Sequence, residues 1–293
     1  MMQRLGEQLN FLLTNRIPRC YATLFMGWFS SIQHPLIAKV SISLWQFFDK
    51  ELDLSESNTQ KFNSLQDCFT RELKSTARTI DKRDEIIISP CDAIIGAFGT
   101  VKEGQIYQAK GFGYHISELI PDPLLAKKYE GGTFITLRLK ASMYHRFHAP
   151  THCSLHDVTY ISGDTWNVNP ITVKRIEKLF CKNERLVMEL HTGEREQSIT
   201  LVPVAAILVA SMKLHALKKP LDLRHQGPNL ISCNQSYKKG DQLGYFRHGS
   251  TIIVFASKGY QLMTNIMLGN RINMGEPLFT QLNNLKPENN RRC

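Results

Sequence analysis

From about Asp84 onward the chain consists of short β-branched runs bounded by glycine and proline, a texture that suits strands far better than helices. The runs are Ile86 to Ser89, Thr133 to Leu139, Ile199 to Val209 and Ser250 to Phe255. Side chains branched at Cβ are stiff at χ1 and fit a pleated, half-buried surface. The body is therefore predicted to be strand-rich, with helical stretches around Ile116 to Tyr129 and Val173 to Leu179. The first fifty residues have a different period. Leu5, Leu9, Leu12 and Leu13, then Leu36, Val40, Leu44 and Phe47, recur every three or four positions, as amphipathic helices require. The expected class is α+β: a strand-rich catalytic body over 61–293 with an N-terminal amphipathic helical segment over 1–60. Repeats, low-complexity tracts and long linkers are absent from the sequence, and the polar tail after Leu285 is expected to fray.

Residues Cys20 to Phe29 are strongly apolar, but ten residues are too few to cross a bilayer, which needs about 20. With Trp28, Trp45, Phe47 and Phe48 at headgroup level and Arg4, Arg16, Arg19 and Lys39 for acidic lipid, the segment can lie in a membrane interface. Packing of the same helices on their own body is the alternative. The formal net charge of +10, from 36 Lys and Arg against 26 Asp and Glu, favours an anionic partner. Basic residues come in scattered pairs such as Lys127–Lys128 and Lys238–Lys239, without the runs or aromatic stripes of nucleic-acid binders, so a membrane surface is favoured over nucleic acid. Seven well-separated cysteines, odd in number and without a CxxC pair, point to a reducing, cytoplasmic setting, and no secretory signal is read at the start.

Four histidines, His145, His148, His152 and His156, crowd into twelve residues at spacings that invite a metal-site reading. Pro150 argues against it, because proline removes a helix donor and pushes Ala149 towards extended geometry, so the rings do not share one helical face. No metal is expected. Tyr144 to Pro150 reads instead as a strand end entering a loop, where imidazoles can serve as acids or bases. Asp92, in Ser89-Pro90-Cys91-Asp92, stands just past an apolar strand; alone it reads as a turn former. Gly249-Ser250-Thr251 alone is an ordinary way to begin a strand.

Taken together, in order and spacing, these segments resemble the phosphatidylserine decarboxylase family from Phe62 to Phe279. Phe69-Thr70-Arg71-Glu72-Leu73 with Arg78 and Ile80-Asp81 is similar to one family stretch, and Ser89-Pro90-Cys91-Asp92 to the next. Lys110-Gly111 through Tyr114 and Leu119, Gly132-Thr133-Phe134, Tyr144-His145-Arg146-Phe147-His148-Ala149-Pro150 and Gly249-Ser250-Thr251 complete the series. His248, Ala93 and Thr79 depart from it, standing where the family usually has Leu, Gly and Pro. His248 bears most on the chemistry, since it adds an imidazole beside the cut.

The resemblance implies a self-cleaving pyruvoyl-dependent decarboxylase that converts phosphatidylserine to phosphatidylethanolamine and carbon dioxide. It implies a triad of Asp92, His148 and Ser250, cleavage after Gly249 into 1–249 and 250–293, and a covalent pyruvoyl group derived from Ser250. The carbonyl of that group accepts the electrons freed as carbon dioxide leaves. His145 is implied as the acid of turnover, and phosphatidylserine in an anionic membrane as the partner. The two fragments would form a heterodimer, with a homo-oligomer left open, at the cytoplasmic face of the cell membrane as a peripheral protein. The rivals are a pyruvoyl-dependent decarboxylase of a soluble amino acid, a non-enzymatic membrane-associated homologue, and a metal-dependent hydrolase.

Overall fold

The computed structural model describes residues 18–109, 112–193, 197–207, 211–223, 225–227, 229–247 and 250–282. Expectations resting on Leu5 to Leu13, Arg4, Arg16, Lys110, Gly111, His248, Gly249 and the tail after Leu285 lie outside the described residues.

The fold is α+β. Its centre is an antiparallel sheet of eight strands in the order Leu230–Tyr237, Cys153–Ile161, Arg185–His191, Ser198–Ala205, Ser250–Ala256, Thr133–Arg138, Ala93–Thr100 and Arg271–Ile272. The strand Ser250–Ala256 is buried at every residue, as expected of an uninterrupted apolar run with a partner on each edge and cover on each face. Its register runs from Ser250 opposite Ala205 to Ala256 opposite Ile199 on one side, and from Thr251 opposite Arg138 to Ala256 opposite Thr133 on the other. A four-stranded sheet, Leu221–Asp222, Ser211–Leu214, Gln242–Phe246 and Arg146–His148, carries the histidine segment into the same neighbourhood. A three-stranded sheet pairs Pro277–Gln281 with Ile86–Ile88 and Tyr260–Leu262.

All four predicted β-runs are strands; the third, Ser198–Ala205, ends at Ala205, and Val209, the expected end of that run, lies outside the described residues. The two predicted body helices are broken up. Ile116–Leu119 and Pro123–Lys128 are separate short helices because Pro121 and Pro123 interrupt the first stretch. Helices Pro170–Val173 and Leu179–Lys182 flank the second, and the residues between them form turns, with Lys178 left-handed at φ 54°.

The N-terminal helices are α1, Arg19–Ser30, and α2, Pro35–Phe48, with Pro35 at the helix start where its missing N–H costs nothing. Arg19 joins α1 to the body by an ion pair to Asp164 at 2.6 Å and by lying 3.7 Å over the Trp166 ring. Arg19 therefore serves docking rather than an acidic surface, and Trp45 likewise turns inward to stack on Phe69 at 5.6 Å. The apolar stripe of α2 faces solvent: Leu36, Val40, Leu44 and Phe47 are 55–66% exposed. Tyr21, Leu24, Phe25 and Trp28 form the matching stripe on α1. Amphipathic helices packed only on their own body would hide such stripes. Among the described residues no helix is long and apolar enough to cross a membrane.

Glu184, in the core beside the central sheet, is fully buried, and burial raises its pKa from 4.5 to about 7, with Tyr160 opposing and the Asp222 charge adding to the rise. The Tyr160 hydroxyl stands 2.9 Å from both Glu184 Oε1 and the Asp222 carbonyl oxygen, and it has one proton for two acceptors. A protonated Glu184 resolves that conflict by donating back. Between pH 4.5 and about 7 the folded state binds the extra proton, so this group makes stability fall as pH rises. Glu184→Gln should therefore raise the unfolding temperature at pH 8 and converge on the parent near pH 5. A gap of equal size at both pH values would contradict the assignment.

Candidate active site

The segment Ser89 to Asp92 is held between two others. His148 N donates to Pro90 O at 2.8 Å and Ile88 N to Pro150 O at 3.0 Å, while Ser89 N donates to Glu276 O at 2.8 Å. Asp92 ends this segment fully buried. Its Oδ1 accepts from Arg78 Nε and from Met274 N, both at 2.9 Å, and its Oδ2 accepts from Arg78 Nη2 at 2.5 Å. Arg78 in turn pairs with Glu56 at 2.9 Å, and Arg271 stands 3.9 Å from Asp92. Next to Met274, Gly275 has a φ of +94° that suits glycine, and a Cβ there would lie 2.4 Å from the Thr79 carbonyl oxygen. This bidentate arginine clamp accounts for the carboxylate's burial.

His148 lies beside Asp92 but hydrogen-bonds elsewhere. Its Nδ1 is 2.8 Å from the Gly240 carbonyl oxygen and its Nε2 is 3.0 Å from the Tyr144 hydroxyl. A carbonyl only accepts, so Nδ1 carries the proton and Nε2 is the acceptor. The tautomer that a triad carboxylate would set is thus set by Gly240, and Asp92 acts on the ring only through its charge. Burial lowers the His148 pKa to about 4, partly offset by the Gly240 bond and by Asp92. His145, three residues earlier, is fully buried, holds Met143 O through Nδ1 at 2.8 Å and packs on Phe69 with ring centroids 4.1 Å apart.

Ser250 heads the central strand. Its carbonyl accepts from Leu139 N at 2.9 Å, and its hydroxyl is buried with no hydrogen-bond partner among the described residues, as is that of Thr251. Ser250 also lines a cavity of about 830 Å³ whose wall includes Phe69, Arg138 and Lys140 from the body and Phe29, Trp45 and Phe48 from α1 and α2. The four sequence-predicted residues thus lie in one region: Asp92 and His148 on adjoining segments, Ser250 on the cavity wall, and His145 behind Phe69. Direct hydrogen bonds among Asp92, His148 and Ser250 are not made. Gly249 and His248 lie outside the described residues.

Tyr144 was read only as part of the histidine motif, without a role, and Gly240 and Met274 were not read from the sequence at all. The latter two act through backbone atoms, for which side-chain patterns carry no signal. The remaining histidines go elsewhere: His156 stacks on His191 at 4.6 Å, and His152 accepts from Lys239 N at 3.5 Å. Among the described residues no group of three His, Cys, Asp or Glu side chains is placed to hold a metal ion.

Ser250 thus presents a buried hydroxyl, without a hydrogen-bond partner among the described residues, on the wall of a cavity, and comparison with known proteins sets this chain among the carboxy-lyases. The family described as phosphatidylserine decarboxylase matches residues 65–280, and the chain belongs to that family. A phosphatidylserine decarboxylase proenzyme of Brevibacillus brevis is 30% identical over 282 residues, covering 94% of this chain and 99% of the relative. Relatives of the same name from Acinetobacter baumannii, 29% identical over 283 residues (92% and 97%), and Shewanella putrefaciens, 30% over 266 residues (86% and 90%), agree with it.

Removing the arginine from the Asp92 clamp leaves a buried charge without its main partner, which costs about 3–5 kcal/mol. Arg78→Met is expected to lower stability to urea by that order, and Arg83→Met, which removes an exposed partner of Asp81, by far less. Similar losses for the two variants would show that the clamp does not hold the fold.

Proposed function

We propose that this chain is a self-cleaving, pyruvoyl-dependent decarboxylase that converts phosphatidylserine to phosphatidylethanolamine and carbon dioxide. The observation that carries the reading is Ser250, a hydroxyl buried without a partner on the wall of a large cavity shared with α1 and α2. A residue there can become a carbonyl without breaking an existing side-chain hydrogen bond, so the site fits the group.

In maturation, Ser250 Oγ loses its proton and attacks the Gly249 carbonyl carbon; the C–N bond breaks and an ester bond forms. Loss of the Ser250 α-proton expels the Gly249 carboxylate, and one water hydrolyses the remaining unsaturated residue, releasing ammonia and leaving a ketone at position 250. His148 is the base for the first proton. It is neutral throughout the neutral pH range, and it is presented by Gly240 with Nε2 available once the Tyr144 hydroxyl yields it. Asp92, held by Arg78 and Met274, stabilises the imidazolium by its field. A pyruvoyl group at 250 supplies a conjugated carbonyl that takes up the electron pair left by departing carbon dioxide. His145, behind Phe69, is the acid that returns a proton during turnover.

Residues 1–60 are assigned to membrane association and 61–293 to catalysis, with the chain peripheral on the cytoplasmic face of the cell membrane. The outward stripes of α1 and α2 favour a lipid over a soluble amino acid, because the same two helices form one wall of the cavity.

On a denaturing gel the parent chain should separate into 1–249 and 250–293, whereas Ser250→Ala and His148→Ala stay uncut. His145→Ala should cut and then turn over poorly. Cutting by His148→Ala with none by His145→Ala would reverse their roles, and cutting by Ser250→Ala would remove the mechanism. Phe25→Asp combined with Phe47→Asp should abolish flotation with anionic vesicles while self-cleavage continues. Undiminished flotation would refute the assignment of the stripes.

A further inference from the structure

Arg138, half-buried, ends the central-sheet strand Thr133–Arg138, with Thr251 opposite it on one side and Ile94 on the other. A half-buried arginine engaged by no close hydrogen bond requires a reason, since partial desolvation of a cation is costly. Burial lowers its pKa, and the Glu51 carboxylate is the influence acting in the other direction. Among the described residues neither a hydrogen bond nor an ion pair engages its guanidinium. The neighbouring cations are occupied. Lys140 binds both Glu51 oxygens at 2.7 and 2.8 Å, and Arg271 stands 3.9 Å from Asp92 and donates to Asn273 at 3.2 Å. Arg138 thus brings a fork of donors, engaged by no hydrogen bond among the described residues, to the cavity that Ser250 lines.

We infer that Arg138 receives the phosphate of the substrate headgroup, an inference that rests on the decarboxylase reading above. In a phosphoserine headgroup three bonds separate the amine-bearing carbon from phosphorus. Arg138 is paired with Thr251, one residue along the strand from position 250, and lines the same cavity as Ser250, so an amine engaged at position 250 leaves its phosphate within reach of the long Arg138 side chain. The planar guanidinium matches two phosphate oxygens at once. The other anion of the headgroup, the carboxylate, is the wrong partner. It leaves as neutral carbon dioxide, and a cation on it would stabilise the ground state against the reaction. The phosphate keeps its charge from substrate to product, so Arg138 contributes uniform binding. Its loss should raise KM more than it lowers kcat.

The test uses full-length protein in two forms. In the Ser250→Ala background, which cannot form the reactive group, calorimetry measures binding of short-chain phosphatidylserine and of a short-chain serine ether that lacks phosphate. Arg138→Met should weaken the first by about 10–100-fold, leave the second within about twofold, and Arg138→Lys should recover part of the loss. In the cleavable background Arg138→Met should still cut and show a raised KM for the lipid. Unchanged phosphatidylserine binding, equal losses for both ligands, or a fall in kcat at constant KM would each overturn the inference. If the parent protein cuts yet releases no carbon dioxide from phosphatidylserine, the decarboxylase reading fails instead, and the binding comparison still decides the role of Arg138.

Discussion

The two hydrogen-bonded ladders along Ser250–Ala256 are the constraint on which the rest depends. Seven successive residues without solvent exposure, paired on both edges, allow no slip in register, because a one-residue shift would exchange the faces of every side chain. That rigidity fixes the Ser250 hydroxyl at the end of the strand and brings Arg138 and Leu139 beside it. The cavity is closed on its other side by α1 and α2, which are tied down by Arg19 on Asp164 and by Lys140 on Glu51.

Around this fixed point the charged and titratable groups are held in place by neighbours. Asp92 is immobilised by Arg78 and by the Met274 amide, so its carboxylate provides a stationary negative field rather than a movable ligand. His148 is kept neutral by burial and single in its tautomer by a backbone carbonyl. Preorganised groups of this kind need no reorientation as a reaction proceeds, which is where most of their value lies.

Much of this was legible in the sequence, unevenly. The β-branched runs announced the strands, and Leu36, Val40, Leu44 and Phe47 announced α2, because period alone carries those signals. Period does not say which way a stripe faces, and here it faces out. The motif residues Asp92, His145, His148 and Ser250 were readable as a set, yet their bonds were not. Gly240 lies 92 residues from His148 and Met274 lies 182 residues from Asp92, and both bond through backbone atoms. The broken helices at 116–129 and 173–179 mark where prolines and a left-handed turn outweighed apolar spacing. Arg138 was hidden inside a strand run, where an isolated cation passes for a solvated position.

The residues after position 249 are woven into the body at three places: Ser250–Ala256 lies between two strands, Arg271–Ile272 pairs with Ala93–Thr100, and Pro277–Gln281 pairs with Ile86–Ile88. A break in the backbone just before Ser250 leaves all of those pairings intact. The short piece is therefore knitted into its own molecule and cannot be traded with another without unfolding both. Under the proposed self-cleavage, maturation would be a private event: in a mixed population of competent and incompetent copies, none could lend its finished part to a neighbour.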